Sequence, residues 1–175
     1  MMLRRTGSEP AWRVRMGAGM TFTLQGDTLV NGTSAGDQYN SSLARLGDGS
    51  YVVVWQTGDA APNALFGQLH ASDGTALGGE FQINAGTGGT YVEPRVAALS
   101  GGGFAVVWSN SSDLSYRLFE ADGTPLGGDL ILTTADEIGG YDWQIDVAPT
   151  DDGLVVTFLR PTYGDIFSVG RAYRQ

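Results

Sequence analysis

The side chains best suited to chemistry in this sequence are aromatics on predicted loops. Tyr39, Tyr91, Tyr141 and Trp143 stand there, with Asp142 and further Asn and Asp residues nearby. A ring face stacks on the C–H groups of a sugar while carboxylates and amides bond its hydroxyls. These five residues are therefore the expected ligand-binding set, with a glycan as ligand. The alternative is that the rings anchor loops in partly buried positions.

Other chemistries find less support. His70 is the single histidine, which excludes a histidine-based triad partnered by a second His and any multi-histidine metal site within one chain. Cysteine is absent, so neither disulfides nor thiolate metal sites exist, and without lysine there is no Gly-Lys-Ser/Thr phosphate loop. Two carboxylates can hydrolyse a glycosidic bond, but no pair stands out, and no catalytic residue is assigned. Asp48, Asp73, Asp122 and Asp152 each precede a glycine and read as turn residues. Asp142, Asp146, Asp151, Asp152 and Asp165 carry the hard oxygens that Ca²⁺ takes, but their spacing defines no metal site. No cofactor is expected beyond weak Ca²⁺ binding.

The elements that must carry these groups recur. Trp55 ends the run Tyr51–Trp55, Trp108 ends Phe104–Trp108, and Phe158 ends Leu154–Phe158, at spacings of 53 and 50 residues. Such a period marks stacked supersecondary units. Each unit reads as four strands. In the first they fall near Ser42–Leu46, Tyr51–Gln56, Ala64–His70 and Glu80–Asn84, separated by turns at Asp48-Gly49, Asp73-Gly74 and Gly78-Gly79. In the second they are Arg95–Leu99, Phe104–Ser109, Ser115–Phe119 and Asp129–Thr133. The third offers Gln144–Ala148, Leu154–Leu159 and Phe167–Tyr173, with no fourth strand after it. Residues Asp27–Asn31 align with Glu80–Asn84 at a spacing of 53, so they are the predicted closing strand, paired near Phe167–Tyr173.

The predicted fold is all-β: three four-stranded antiparallel repeats of about 50 residues, closed by this N-terminal strand. Radial repetition of four-stranded sheets is the propeller solution to exposed edges, and a threefold β-prism or β-trefoil is the alternative. Trp55, Trp108 and Phe158 are expected in equivalent buried positions. Three blades leave two uncapped flanks, which points to a homo-oligomer.

Charge divides the chain into an expected basic N-terminal arm, residues 1–20, and a β domain, residues 21–175. The arm holds four of the ten Arg and one of the 19 acids, which leaves 6 Arg against 18 acids in the rest. Arg4, Arg5, Trp12, Arg13 and Arg15 are the expected partner-docking residues of this arm. The acidic body repels phosphate backbones and anionic lipid, so nucleic acid is not an expected partner. Apolar runs of about five residues are too short for a membrane span. No apolar stretch follows Arg4 and Arg5 as a secretory signal requires.

Three segments resemble repeats of large secreted or surface proteins of the RTX-associated kind in Gram-negative bacteria. They are Gly102-Gly103-Phe104-Ala105-Val106-Val107-Trp108, Phe66–Thr75 and Gly79-Glu80-Phe81-Gln82-Ile83-Asn84. The calcium-binding nonapeptide of that group is missing. The resemblance implies an extracellular or surface location and a structural repeat, and is nearly silent on activity.

On this basis the sequence reads as a non-enzymatic binding module for a glycan or surface protein, in adhesion or carbohydrate binding. The alternatives are a structural subunit of a larger surface or virion assembly, docking through its arm, and a carboxylate-dependent glycoside hydrolase.

Overall fold

Short β-branched and aromatic runs between glycine-containing turns favour antiparallel hairpins, and the computed structural model is all-β. It describes residues 3–5, 12–16, 20–24, 28–33, 36–58, 64–86, 90–110, 113–133, 143–151, 153–162, 165–168 and 171–174, with no helix among them.

Strands β1 (Leu3–Arg5), β2 (Trp12–Met16) and β3 (Met20–Leu24) form a three-stranded N-terminal sheet. The first four-stranded sheet is β4 (Gln38–Arg45), β5 (Tyr51–Thr57), β6 (Leu65–His70) and β7 (Ala76–Gln82), in that order. The second is β8 (Tyr91–Ala98), β9 (Phe104–Asn110), β10 (Asp113–Phe119) and β11 (Leu130–Thr133). In the third, β12 (Trp143–Thr150) pairs with β13 (Gly153–Thr162), and both β14 (Asp165–Ser168) and β15 (Arg171–Arg174) pair with the far side of β13. Strands β14 and β15 pair with β13 in one register, Ser168 opposite Leu159 and Arg171 opposite Val156, along the strand expected near Phe167–Tyr173. Strand β7 begins earlier than expected, and Gly78 lies inside it at φ 78°.

The sheets stack face to face, and alternation along each strand decides which side chain meets which sheet. Val52, Val54, Leu65 and Leu69 of the first sheet pack with Phe104, Val106, Trp108 and Phe119 of the second. The second sheet's other face gives Val107, Leu114 and Leu132 to a core with Ile145, Val156 and Phe158 of the third. Trp55, Trp108 and Phe158 are 4%, 0% and 4% exposed. They sit at matching positions, Trp108 and Phe158 each facing the preceding sheet.

Residues 28–33 do not form the expected closing strand. They are held on the first sheet instead, because Glu80 captures their backbone. Its Oε1 accepts the N–H groups of Gly32 at 2.7 Å and Thr33 at 2.9 Å. The same device recurs one sheet on: the Asp129 carboxylate accepts the N–H groups of Ala85 at 2.9 Å and Gly86 at 3.2 Å. The turn ahead of it recurs too. Asn31 Nδ2 donates to Thr33 O at 2.6 Å and Asn84 Nδ2 to Gly86 O at 2.7 Å. Residues 31–33 and 84–86 are thus equivalent in geometry at the expected spacing of 53, but each is a turn clamped by the next sheet.

The expected basic arm contains β1 and β2, with Arg4 opposite Arg13 and Arg5 opposite Trp12 in register. Strand β3 runs across the boundary expected after residue 20.

Candidate functional site

The first strands of the three four-stranded sheets share an irregularity near their starts. Register shifts fall between Tyr39 and Ser42 in β4, Val92 and Arg95 in β8, and Trp143 and Asp146 in β12. Each shift holds a non-glycine residue in the left-handed region: Asn40 at φ 55°, Glu93 at 53° and Gln144 at 66°. Such backbones cost of order 1–2 kcal/mol per residue. Bulges of this kind re-aim side chains and cluster next to functional sites.

The three bulges are bonded to one another. Asn40 Nδ2 donates to Gln56 Oε1 at 3.1 Å, and the same oxygen lies 3.4 Å from the donating N–H nitrogen of Glu93. Glu93 Oε2 in turn accepts the N–H of Gln144 at 3.1 Å. Gln56 is buried, Glu93 half-buried, and Asn40 and Gln144 exposed. Asp146 is exposed two residues beyond Gln144, and its Oδ1 accepts the N–H of Val147 at 2.9 Å. Ile145 and Val147 on either side of it pack towards the second sheet, so Asp146, paired with Thr157, lies on the opposite face of β12 and points away from the β8–β12 seam.

Beside Asn40 lies a cleft of about 240 Å³ lined by Asn31, Gln38, Tyr39, Ser41, Val53 and Trp55, among others. Tyr39 is 43% exposed and Trp55 is buried.

The expected ligand set divides. Tyr39 stands exposed in the cleft. Tyr91 is a correction: it is 6% exposed, packed in the core between the first two sheets. Gly86 makes this possible, because a Cβ there would lie 2.4 Å from the Tyr91 hydroxyl oxygen. Trp143 opens β12 opposite Leu159, and Tyr141 and Asp142 lie outside the described residues. Of the docking set, Arg4 and Arg5 are in β1 and Trp12, Arg13 and Arg15 in β2.

The turn acids behave as turn acids. Asp48 bonds the Ser50 hydroxyl and N–H, Asp73 the Thr75 N–H and Asp122 the Thr124 N–H. These bonds hold all three carboxyls below the usual carboxylate range: for Asp48 the Ser50 hydroxyl dominates, for the others the backbone N–H. Among the described residues no three His, Asp or Glu side chains group as metal ligands. His70 is 1% exposed, stacked on Tyr51 at 5.1 Å, with Nδ1 against the Gly74 carbonyl at 3.2 Å, and serves the turn.

Asn40, Gln56, Glu93 and Gln144 were not expected from the sequence. Their signal was present: Asn40, Glu93 and Gln144 are polar residues in register at spacings of 53 and 51.

No family model and no curated protein matches this sequence. Two solved structures are similar to it. An endo-arabinase from Bacteroides thetaiotaomicron matches with TM-score 0.58 and 12% identity, over 94% of this chain and 70% of that one. The alpha-L-arabinofuranosidase PaAbf62A from Podospora anserina, in complex with cellotriose, matches with TM-score 0.56 and 17% identity, over 82% of this chain and 50% of that one. This chain thus spans half the length of the second. Both of these proteins are enzymes by name, and at these identities the likeness is one of fold. The expectation of a non-enzymatic adhesion or assembly module is corrected here: the two similar structures are of enzymes and point to the glycoside hydrolase alternative.

Proposed function

We propose that the protein is a glycoside hydrolase acting on arabinose-containing or related polysaccharide outside the cell. Its four-stranded sheets are propeller blades, with β4, β8 and β12 innermost. The substrate lies across the bulged starts of the inner strands, where Glu93 is a catalytic carboxylate. In this chemistry one carboxyl protonates the leaving oxygen while a second activates water or attacks the sugar, and Glu93, held by the Gln144 N–H, is the fixed one of the two.

The observation that carries this reading is Glu93 itself: a half-buried carboxylate at φ 53° on an inner strand, tied to both neighbouring bulges. Strained backbone of this kind clusters at functional sites. The test is sugar release from nitrophenyl arabinofuranoside and from arabinan by the purified protein. Activity is expected, and Glu93→Gln should lower it by about 100-fold or more. A wild-type protein that releases no sugar from either substrate overturns the reading.

A further inference from the structure

The cleft beside Asn40 does not include Glu93, yet it is built. The Tyr39 ring lies over the backbone of Gly58, where a Cβ would come within 2.6 Å of Cε1 and 2.7 Å of the hydroxyl oxygen. Gly58 is itself fixed, donating its N–H to Asp37 O at 2.9 Å. The ring is therefore exposed but positioned. Asn31 and Gln38 both donate an amide N–H to Thr33 O, at 2.6 and 2.5 Å. Their amide oxygens, and the hydroxyl of exposed Ser41, remain as polar groups around the ring.

The repeat spacing shows what this surface would look like if it were made to receive another sheet. Gln38, Tyr39 and Ser41 correspond, 53 residues on, to Tyr91, Val92 and Pro94. There the surface is covered by the first sheet, and Tyr91 and Pro94 are buried. Val53 and Trp55 keep their apolar counterparts in Val106 and Trp108, but the rim has changed from Tyr, Val and Pro to Gln, Tyr and Ser. A rim changed in this direction suits hydroxyl groups and water more than a packed strand. At about 240 Å³ the cleft is smaller than the ~300–1,000 Å³ of sites for drug-sized ligands, which fits one ring.

We infer that this cleft seats one sugar ring of a glycan chain, stacked on Tyr39 and bonded by the Asn31 and Gln38 amides and Ser41. Tyr39 adjoins Asn40, and Asn40 reaches Glu93 through Gln56. The chain would run from the cleft over Asn40 to Glu93, so the site favours an oligosaccharide over a single sugar. The inference takes the identity of the glycan from the hydrolase reading.

The test uses the full chain with arabinotriose and cellotriose as probes, read by calorimetry and saturation-transfer NMR. Tyr39→Ala should weaken binding of the better probe about tenfold or more, and Tyr39→Phe by less than about threefold. Gly58→Ala should weaken binding as Tyr39→Ala does, by displacing the ring. Conversely, Glu93→Gln should keep arabinotriose binding and lose hydrolysis. Binding unchanged in Tyr39→Ala overturns the cleft inference. So does a wild-type protein that hydrolyses nitrophenyl arabinofuranoside but binds neither trisaccharide, and this leaves the hydrolase reading standing. A change of mass by light scattering in Tyr39→Ala also overturns it, since the cleft would then be a contact between copies.

Discussion

Glu93 and Gln144 meet across the seam between β8 and β12, the carboxylate Oε2 of one 3.1 Å from the backbone nitrogen of the other. The bond uses only the main chain of Gln144, whose backbone pays for it with φ 66°. Gln144→Gly should therefore keep the bond and relieve the strain. It is expected to stabilise the fold by about 0.5–1 kcal/mol in urea denaturation, after the entropic cost of glycine is set against the gain.

The clamp at Asp129 gathers two N–H donors, with Ala85 N at 2.9 and 3.0 Å from the two oxygens and Gly86 N at 3.2 Å from one. Asp129→Ala should cost about 1–3 kcal/mol, because charge-assisted bonds are lost and two N–H groups lose their partner. Asp129→Asn should recover much of that by keeping an acceptor oxygen. Chemical denaturation of the two variants side by side checks this.

Trp108 is fully buried, and its indole Nε1 has no hydrogen-bond partner. Phe158 fills the same position in the third sheet without a donor to satisfy. Trp108→Phe is thus expected to cost less than about 1.5 kcal/mol, while Trp108→Ala should cost about 3–5 kcal/mol. Equal losses in the two variants would contradict this account.

The turn carboxylates predict the response to acid. Asp48, Asp73 and Asp122 titrate below the usual carboxylate range in the folded protein. Their contribution is therefore fully present above the unfolded carboxylate value, about 3.9, and is lost as pH falls through the lower folded values. Replacing all three by Asn keeps a turn acceptor and removes the titration. The triple variant should lose less stability than the wild type between about pH 4 and pH 2, measured by urea titration at each pH.

Much of the architecture was legible because it depends on local pattern. The Tyr51–Trp55, Phe104–Trp108 and Leu154–Phe158 runs become β5, β9 and β13, and the Asp-Gly turns fall where the glycines require positive φ. What could not be read was anything set by partners distant in sequence. Residues 28–33 carry the pattern of a strand end, but Glu80, 48 residues from Gly32, decides what their backbone bonds. Tyr91 looked like a surface aromatic, and only the neighbouring sheet together with the missing Cβ of Gly86 shows that it is core. Glu93 gave no signal by itself, since a left-handed bulge on a non-glycine residue has no local sequence signature.

The two seams between the four-stranded sheets differ in what fills them. Phe104, Phe119, Trp108 and Tyr91 lock the first, with Phe104 and Phe119 stacked at 5.0 Å. The second holds mainly aliphatic side chains, with Ala97 and Ala105 among them and Phe158 as its one buried aromatic among the described residues. Because the described cores join each four-stranded sheet to its neighbour, loss of order spreads along the stack one junction at a time. Amide protons of β12 and β13 should therefore trade with deuterium ahead of those in β5 and β9. A protein built this way would let go of its third sheet, and with it Gln144, while the first two remain intact.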